Sequence, residues 1–196
     1  MRVQCLLWDF GDTLCDELSL WRTSPEWMEL YRSFDEQHGI GAAWSRGDLD
    51  TREVAAKLAE RMTLSEHEIL AHLSRADLFE FFPFTYAFFR ACHLPQAIVT
   101  VNPAQFRAMT RELALDEVTD TIVVSAEEKT IDKGALCEIA LQRMRVVCER
   151  GRALLIDNKE SSIDSWERRG GIGYRYTTDS AFRHDVATGI DGLVRP

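Results

Sequence analysis

Arg2-Val3-Gln4-Cys5-Leu6-Leu7-Trp8 is an apolar run of strand type that stops abruptly at Asp9-Phe10-Gly11-Asp12-Thr13-Leu14. A carboxylate leaving the carboxyl end of a buried strand into a glycine-containing turn stands where ligands bind in a parallel sheet. A purely structural role is also open to these residues, with Asp9 and Asp12 capping a turn and Thr13 starting a helix. The balance tips toward chemistry because the rest of the chain supplies partners at the ends of three later strands.

Working outward, four more segments read as short strands: 96–101 (QAIVTV), 121–125 (TIVVS), 153–157 (ALLID) and 173–177 (GYRYT). Helical patterns lie between them at 103–115, 133–149 and 161–169. Strands of near-continuous Val, Ile and Leu alternating with helices mark a parallel sheet covered on both faces. The predicted architecture is therefore α/β, a three-layer sandwich around a Rossmann-like central parallel sheet.

Residues 15–84 break the rhythm and show no convincing strand. Segments 26–38 and 52–61 carry apolar residues at three and four spacing, and Ser65 followed by Glu66 and Glu68 reads as a helix start. A helical insert of residues 15–84 thus interrupts a core made of 1–14 and 85–196. The aromatic run Phe79, Phe81, Phe82, Phe84, Tyr86, Phe88 and Phe89 lies where the insert returns, and reads as core packing.

The 196 residues suffice for a substantial core, and 45% hydrophobic content is ordinary for a globular protein. A formal charge of -9 argues against nucleic-acid and anionic-membrane partners, which need a basic field. The five cysteines form no CxxC pair, fitting reduced and partly buried thiols. The five histidines (His38, His67, His72, His93, His184) lack metal-ligand spacing. No signal peptide is legible and no apolar run approaches the ~20 residues of a membrane span, so the expected location is cytoplasmic. Lysine is scarce, at Lys57, Lys129, Lys133 and Lys159 against nineteen arginines. A lysine just past a strand is correspondingly informative.

From Val3 to about Thr178 the order of these motifs resembles the haloacid dehalogenase (HAD) superfamily, in the branch with a small helical cap inserted after the first motif. The resemblance makes 15–84 the cap domain and Asp9 the nucleophile, which in most members attacks a phosphoryl group to give an aspartyl-phosphate that water hydrolyses. It implies that Thr100, ending the second strand with Asn102 close by, binds phosphoryl oxygens. It places the motif lysine at Lys129, ahead of the competitor Lys133, although the usual following proline is Thr130 here. It makes Mg2+ the cofactor, held by Asp9, the Gly11 carbonyl, Asp157 and Asn158. The last stands where relatives carry a second aspartate, and Asp164 lies too far along its helix to join them.

The resemblance implies a phosphatase acting on a small phosphate ester, because a cap closing over the pocket excludes large substrates. One departure bears on this: phosphatases of the family carry a proton-transferring aspartate two residues after the nucleophile, where this chain has Gly11, with Asp12 one residue further on. A missing general acid costs about a hundred- to ten-thousand-fold with poor leaving groups. Two alternatives follow, a carbon-halogen hydrolase, whose halide leaves without a proton, and a non-enzymatic binding or regulatory protein on the same fold. Against the first, two carboxylates converging at Asp9 and Asp157 repel unless a cation intervenes. Phosphonate cleavage would need a cap lysine, and Lys57 lies inside a helix.

Overall fold

The computed structural model describes residues 3–36 and 39–189. Arg2 at the head of the first strand, and His38 with Gln37 at the end of the helix read over 26–38, lie outside the described residues. Strand β1 (Cys5–Trp8) has all four side chains fully buried. Cys5 and Leu7 point into one apolar cluster with Leu155, Leu136 and Trp166, while Leu6 and Trp8 point into a second with Ile98, Phe89 and Phe182. With helices on both faces there is no solvated side on which polar residues would alternate.

The chain then forms a two-residue antiparallel ladder, β2 (Cys15–Asp16) with β3 (Glu80–Phe81), where it leaves for and returns from the insert. This corrects the expectation of no strand in 15–84. Two-residue strands are too short to show a period-2 pattern, and the pairing is set by Phe82 N donating to Leu14 O at 3.0 Å beside it.

Between them run helices α1 (Pro25–Glu36), α2 (Ile40–Arg46), α3 (Thr51–Ala59) and α4 (Glu66–Leu73). Asp50 with Glu53, and Ser65 with Glu68, form reciprocal capping boxes at the starts of α3 and α4. Trp27, Trp44, Val54, Leu58, Ile69 and Leu73 give these helices an apolar cluster of their own. Helix α5 (Pro83–Ala91) follows, starting on proline and capped by the Asp179 carboxylate, which accepts from Phe84 N at 3.0 Å and Thr85 N at 2.7 Å. The aromatic run packs on the core: Phe88 and Phe89 reach the Trp8 ring, and Phe79 and Phe81 reach Phe10.

The remaining elements are β4 (Gln96–Thr100), α6 (Phe106–Glu112), β5 (Ile122–Val124), α7 (Ser125–Glu128), α8 (Lys133–Arg143), β6 (Ala153–Asp157), α9 (Glu160–Glu167), β7 (Ile172–Arg175) and α10 (Asp179–Thr188). The five-stranded sheet runs β5-β4-β1-β6-β7 with every pair parallel. Connections leave β1 toward β4 and return to place β6 on its other side, so the carboxyl ends of β1 and β6 flank the switch point where such sheets bind ligands. All five cysteines are free thiols, three of them buried. No helix among the described residues is long and apolar enough to cross a membrane.

Helix α9, which follows the acidic end of β6, is fixed on the sheet by Trp166, whose Nε1 donates to Ala153 O at 3.2 Å. A Cβ on Gly171 would stand 2.0 Å from that ring. Gly171→Ala should therefore cost on the order of 2 kcal/mol, the scale of overpacking a filled core, read as a lowered urea midpoint with an unchanged slope.

Candidate active site

Asp9 is fixed by its backbone N–H donating to Ile156 O at 2.9 Å, which extends the β1–β6 ladder by one residue. The residue is 7% exposed, and its carboxylate receives Lys133 Nζ on Oδ1 at 2.7 Å. The same ammonium donates to Val99 O at 2.8 Å and stands 3.1 Å from Asp157 Oδ2. One cation thus bridges the ends of β1, β4 and β6. Burial alone would push the lysine down; Asp9 and Asp157 outweigh it and hold the ammonium well above its ordinary range. Burial raises the Asp9 carboxyl, Lys133 opposes, and Asp157 adds to the rise.

The lysine brought to Asp9 is thus Lys133 and not Lys129, the reverse of the order expected from the sequence. Lys129 ends the short helix α7 in a left-handed conformation (φ 55°), and its Nζ donates to Gly47 O at the end of α2. It joins core to insert. Lys133 follows Asp132, whose carboxylate caps α8 by accepting from Gly134 N at 3.0 Å. As the first residue of that helix it sends its side chain back beneath the strand ends.

Thr100 ends β4 nearly fully buried, with Oγ1 accepting from Asn102 Nδ2 at 2.6 Å. Asn102 N in turn donates to Ser125 Oγ at 2.9 Å, and Ser125 Oγ donates to Ser45 O at 2.5 Å. Asp157 Oδ1 accepts from Lys159 N at 2.8 Å. A small cleft of about 20 Å3 is lined by Asp9, Gly11, Glu17, Thr100, Lys133 and Lys159. Asn158 lines an open groove with Asp12, Arg22 and Asp179, although its Oδ1 is buried.

The turn after Asp9 settles where the neighbouring carboxylates go. Asp12 adopts φ 53°, and its Oδ1 accepts from Glu17 N at 3.1 Å, so its carboxylate holds the next turn and faces the outer groove. Glu17 fills the vacated side. A Cβ on Gly11 would lie 2.9 Å from Glu17 Oε2, so the carboxyl group occupies the space that a side chain at Gly11 would take. It makes no hydrogen bond or ion pair with the described residues. Burial pushes it up to about 7, with Lys159 drawing it down and Asp9 and Asp12 pushing it up. The sequence offers no signal for Glu17, which lies eight residues from Asp9 and reaches the cleft through the glycine.

The groups available to a cation are oxygens: Asp9, the Gly11 carbonyl, Asp157 and Asn158. Among the described residues no three or more His, Cys, Asp or Glu side chains form a metal-binding group. Asn158 Oδ1 is nonetheless buried without a hydrogen-bond partner, and Asp157 Oδ2 is buried with the Lys133 ammonium 3.1 Å away. Hard oxygen donors, some neutral and some charged, suit magnesium.

No protein-family model matches the sequence, and no curated protein is significantly similar to it. Solved structures are similar over nearly the whole chain. A predicted HAD-like family hydrolase of Porphyromonas gingivalis superposes with a TM-score of 0.74 at 12% identity, covering 96% of this chain and 98% of that one. The fold is that of the haloacid dehalogenase superfamily. A HAD family enzyme of Bacteroides thetaiotaomicron, solved in complex with magnesium and inorganic phosphate, gives 0.70 at 12% identity over 90% of this chain and 95% of its own. The L-2-haloacid dehalogenase of Xanthobacter autotrophicus gives 0.69 at 12% identity over 96% and 84%. The HAD fold thus spans both the core and the inserted helices.

Lys133→Ala should destabilise the protein by about 3 kcal/mol, as expected when one partner of a buried ion pair is removed. The variant keeps two buried carboxylates and no ammonium. Protonation of Asp9, whose carboxyl is already pushed up by burial and by Asp157, relieves the repulsion, so the loss in urea melts should be larger at pH 8 than at pH 5. Lys129→Ala, which removes an exposed tether, should change stability by less than about 1 kcal/mol.

Proposed function

We propose that this chain is a magnesium-dependent HAD-type phosphatase acting on a small phosphate ester. The observation that carries the reading is the ammonium of Lys133 held 2.7 Å from Asp9, next to buried Thr100. A nucleophilic carboxylate must stay ionised beside an incoming phosphoryl dianion, and only a fixed cation in a dry site makes that tolerable. Magnesium held by Asp9, the Gly11 carbonyl, Asp157 and Asn158 would supply further positive charge to the phosphoryl oxygens. The Bacteroides thetaiotaomicron structure, with magnesium and phosphate together, supports the pairing of metal and ligand.

Asp9 attacks phosphorus and the ester oxygen departs, leaving an aspartyl-phosphate. Thr100 Oγ1 stands at the end of β4, where it would donate to a phosphoryl oxygen, and Asn102, which gives one amide hydrogen to Thr100 Oγ1, would offer its second. Glu17 takes the proton-transfer role that Gly11 cannot fill. As a carboxylic acid it protonates the departing oxygen; as the resulting carboxylate it takes a proton from water, which attacks phosphorus and frees Asp9. A carboxyl poised at about 7 serves both steps at neutral pH. Its position favours an ester over a carbon-halogen bond, whose cleavage needs no acid.

Asp9→Asn should abolish magnesium-dependent phosphate release from an aryl phosphate; activity surviving that change removes Asp9 as nucleophile. A folded wild type that binds magnesium but releases neither phosphate nor halide would point to the non-enzymatic alternative. Glu17→Gln should lower turnover of an alkyl phosphate by about a hundred-fold or more and of an aryl phosphate far less, because a good leaving group needs little protonation. Equal losses on both esters would show that Glu17 transfers no proton in the first step.

A further inference from the structure

Above the catalytic cleft, and sharing Glu17, Val101, Asn102 and Lys159 with it, lies a cavity of about 290 Å3 between the inserted helices and the sheet. Its walls include Leu20, Trp21, Trp44, Leu73, Phe106 and Met109, each at most 7% exposed. The ionisable side chains that reach it, Glu17, Tyr31 and Lys159, include the two at the cleft that it shares with Asp9. Of its amides, Gln105 Nε2 donates to Leu73 O at 2.7 Å, and Asn102 Nδ2 donates one of its hydrogens to Thr100 Oγ1 at the cleft end. The part of a substrate lying beyond the phosphoryl group therefore meets hydrocarbon and indole over most of the wall, with Glu17, Asn102 and Lys159 gathered at the end that the cavity shares with the cleft and Tyr31, Ser45 and Gln105 as the other polar side chains.

Resting on the phosphatase reading, we propose that the cavity is the leaving-group subsite and selects phosphate monoesters whose alcohol is apolar and of about benzyl size. An apolar cavity of about 150 Å3 is enough to take up benzene, so the space here admits a ring with its linking carbon. A sugar or nucleoside in the same place would leave hydroxyl groups unpaired, at a loss of about tenfold or more in affinity for each. Electrostatics and shape thus divide the work, the phosphoryl group being held at Asp9, Thr100 and Lys133 and the alcohol being sorted by the indole and aliphatic walls.

The test measures binding without requiring turnover. Benzylphosphonate, methylphosphonate and 2-hydroxyethylphosphonate, which have no cleavable ester bond, are titrated into the full chain with magnesium. Trp21 and Trp44 in the walls make tryptophan emission the readout. Benzylphosphonate should bind at least about tenfold more tightly than methylphosphonate, in line with the apolar area it buries. Ala42→Phe, on α2 and facing the cavity, should remove that advantage while leaving methylphosphonate affinity unchanged. Equal affinity for the benzyl and methyl compounds, tighter binding of the hydroxylated one, or no binding of any of the three overturns the proposal. Phosphate release from benzyl phosphate is followed in parallel. A benzyl preference in binding with no release leaves the subsite standing and sinks the phosphatase reading, so the two failures are told apart.

Discussion

One buried ammonium holds the carboxyl ends of the central strands together. Lys133 touches Asp9, the carbonyl of Val99 and Asp157, and so ties three neighbouring strands at the ends where ligands bind. Two carboxylates this deeply buried repel each other and lack water, and a cation fixed between them is what makes their ionised state compatible with the fold. The arrangement requires β1 to lie between β4 and β6 and requires α8 to start where it does. Sheet order, the Asp132 cap and the site are therefore one constraint viewed at three scales.

The turn after Asp9 shows a second dependence, of volume. Gly11 has no side chain, and the space beside it is taken by the Glu17 carboxyl group. Asp12, the nearer acid in sequence, is drawn the other way by its left-handed backbone and by the amide of Glu17. Loss of a side chain at one position and arrival of another from six residues on is a geometric exchange. It leaves a carboxyl group between Asp9 and the cavity beneath the inserted helices. The inserted helices contribute the roof of that cavity, and contacts such as Ser125 with Ser45 and Lys129 with Gly47 hold it over the sheet.

The alternation of apolar strands and helices, the interruption over 15–84 and the strand-end positions of Asp9, Thr100 and Asp157 were all legible in the chain, because each depends on local pattern and on order. Burial of both faces writes itself into Leu6-Leu7-Trp8 and Leu154-Leu155-Ile156 as unbroken apolar runs. Capping residues such as Ser65 and Glu68 are equally local. The ribbon of β2 and β3 was not legible, since two residues carry no period. Lys129 and Lys133 lie one helical turn apart, and nothing in their spacing says which one enters the site. That is set by the end of α7, which turns Lys129 outward toward Gly47.

The sequence by itself determined the parallel α/β scaffold, the helical insert and the acids available at the strand ends, because hydrophobic periodicity and strand order are properties of neighbouring residues. Only the tertiary structure decided that Lys133 neutralises Asp9, that Asp12 faces away, and that Glu17 fills the space left by Gly11. These are matters of direction and volume between segments far apart or differently turned, and a side chain's direction is fixed by the backbone conformation and packing around it, which no spacing rule records.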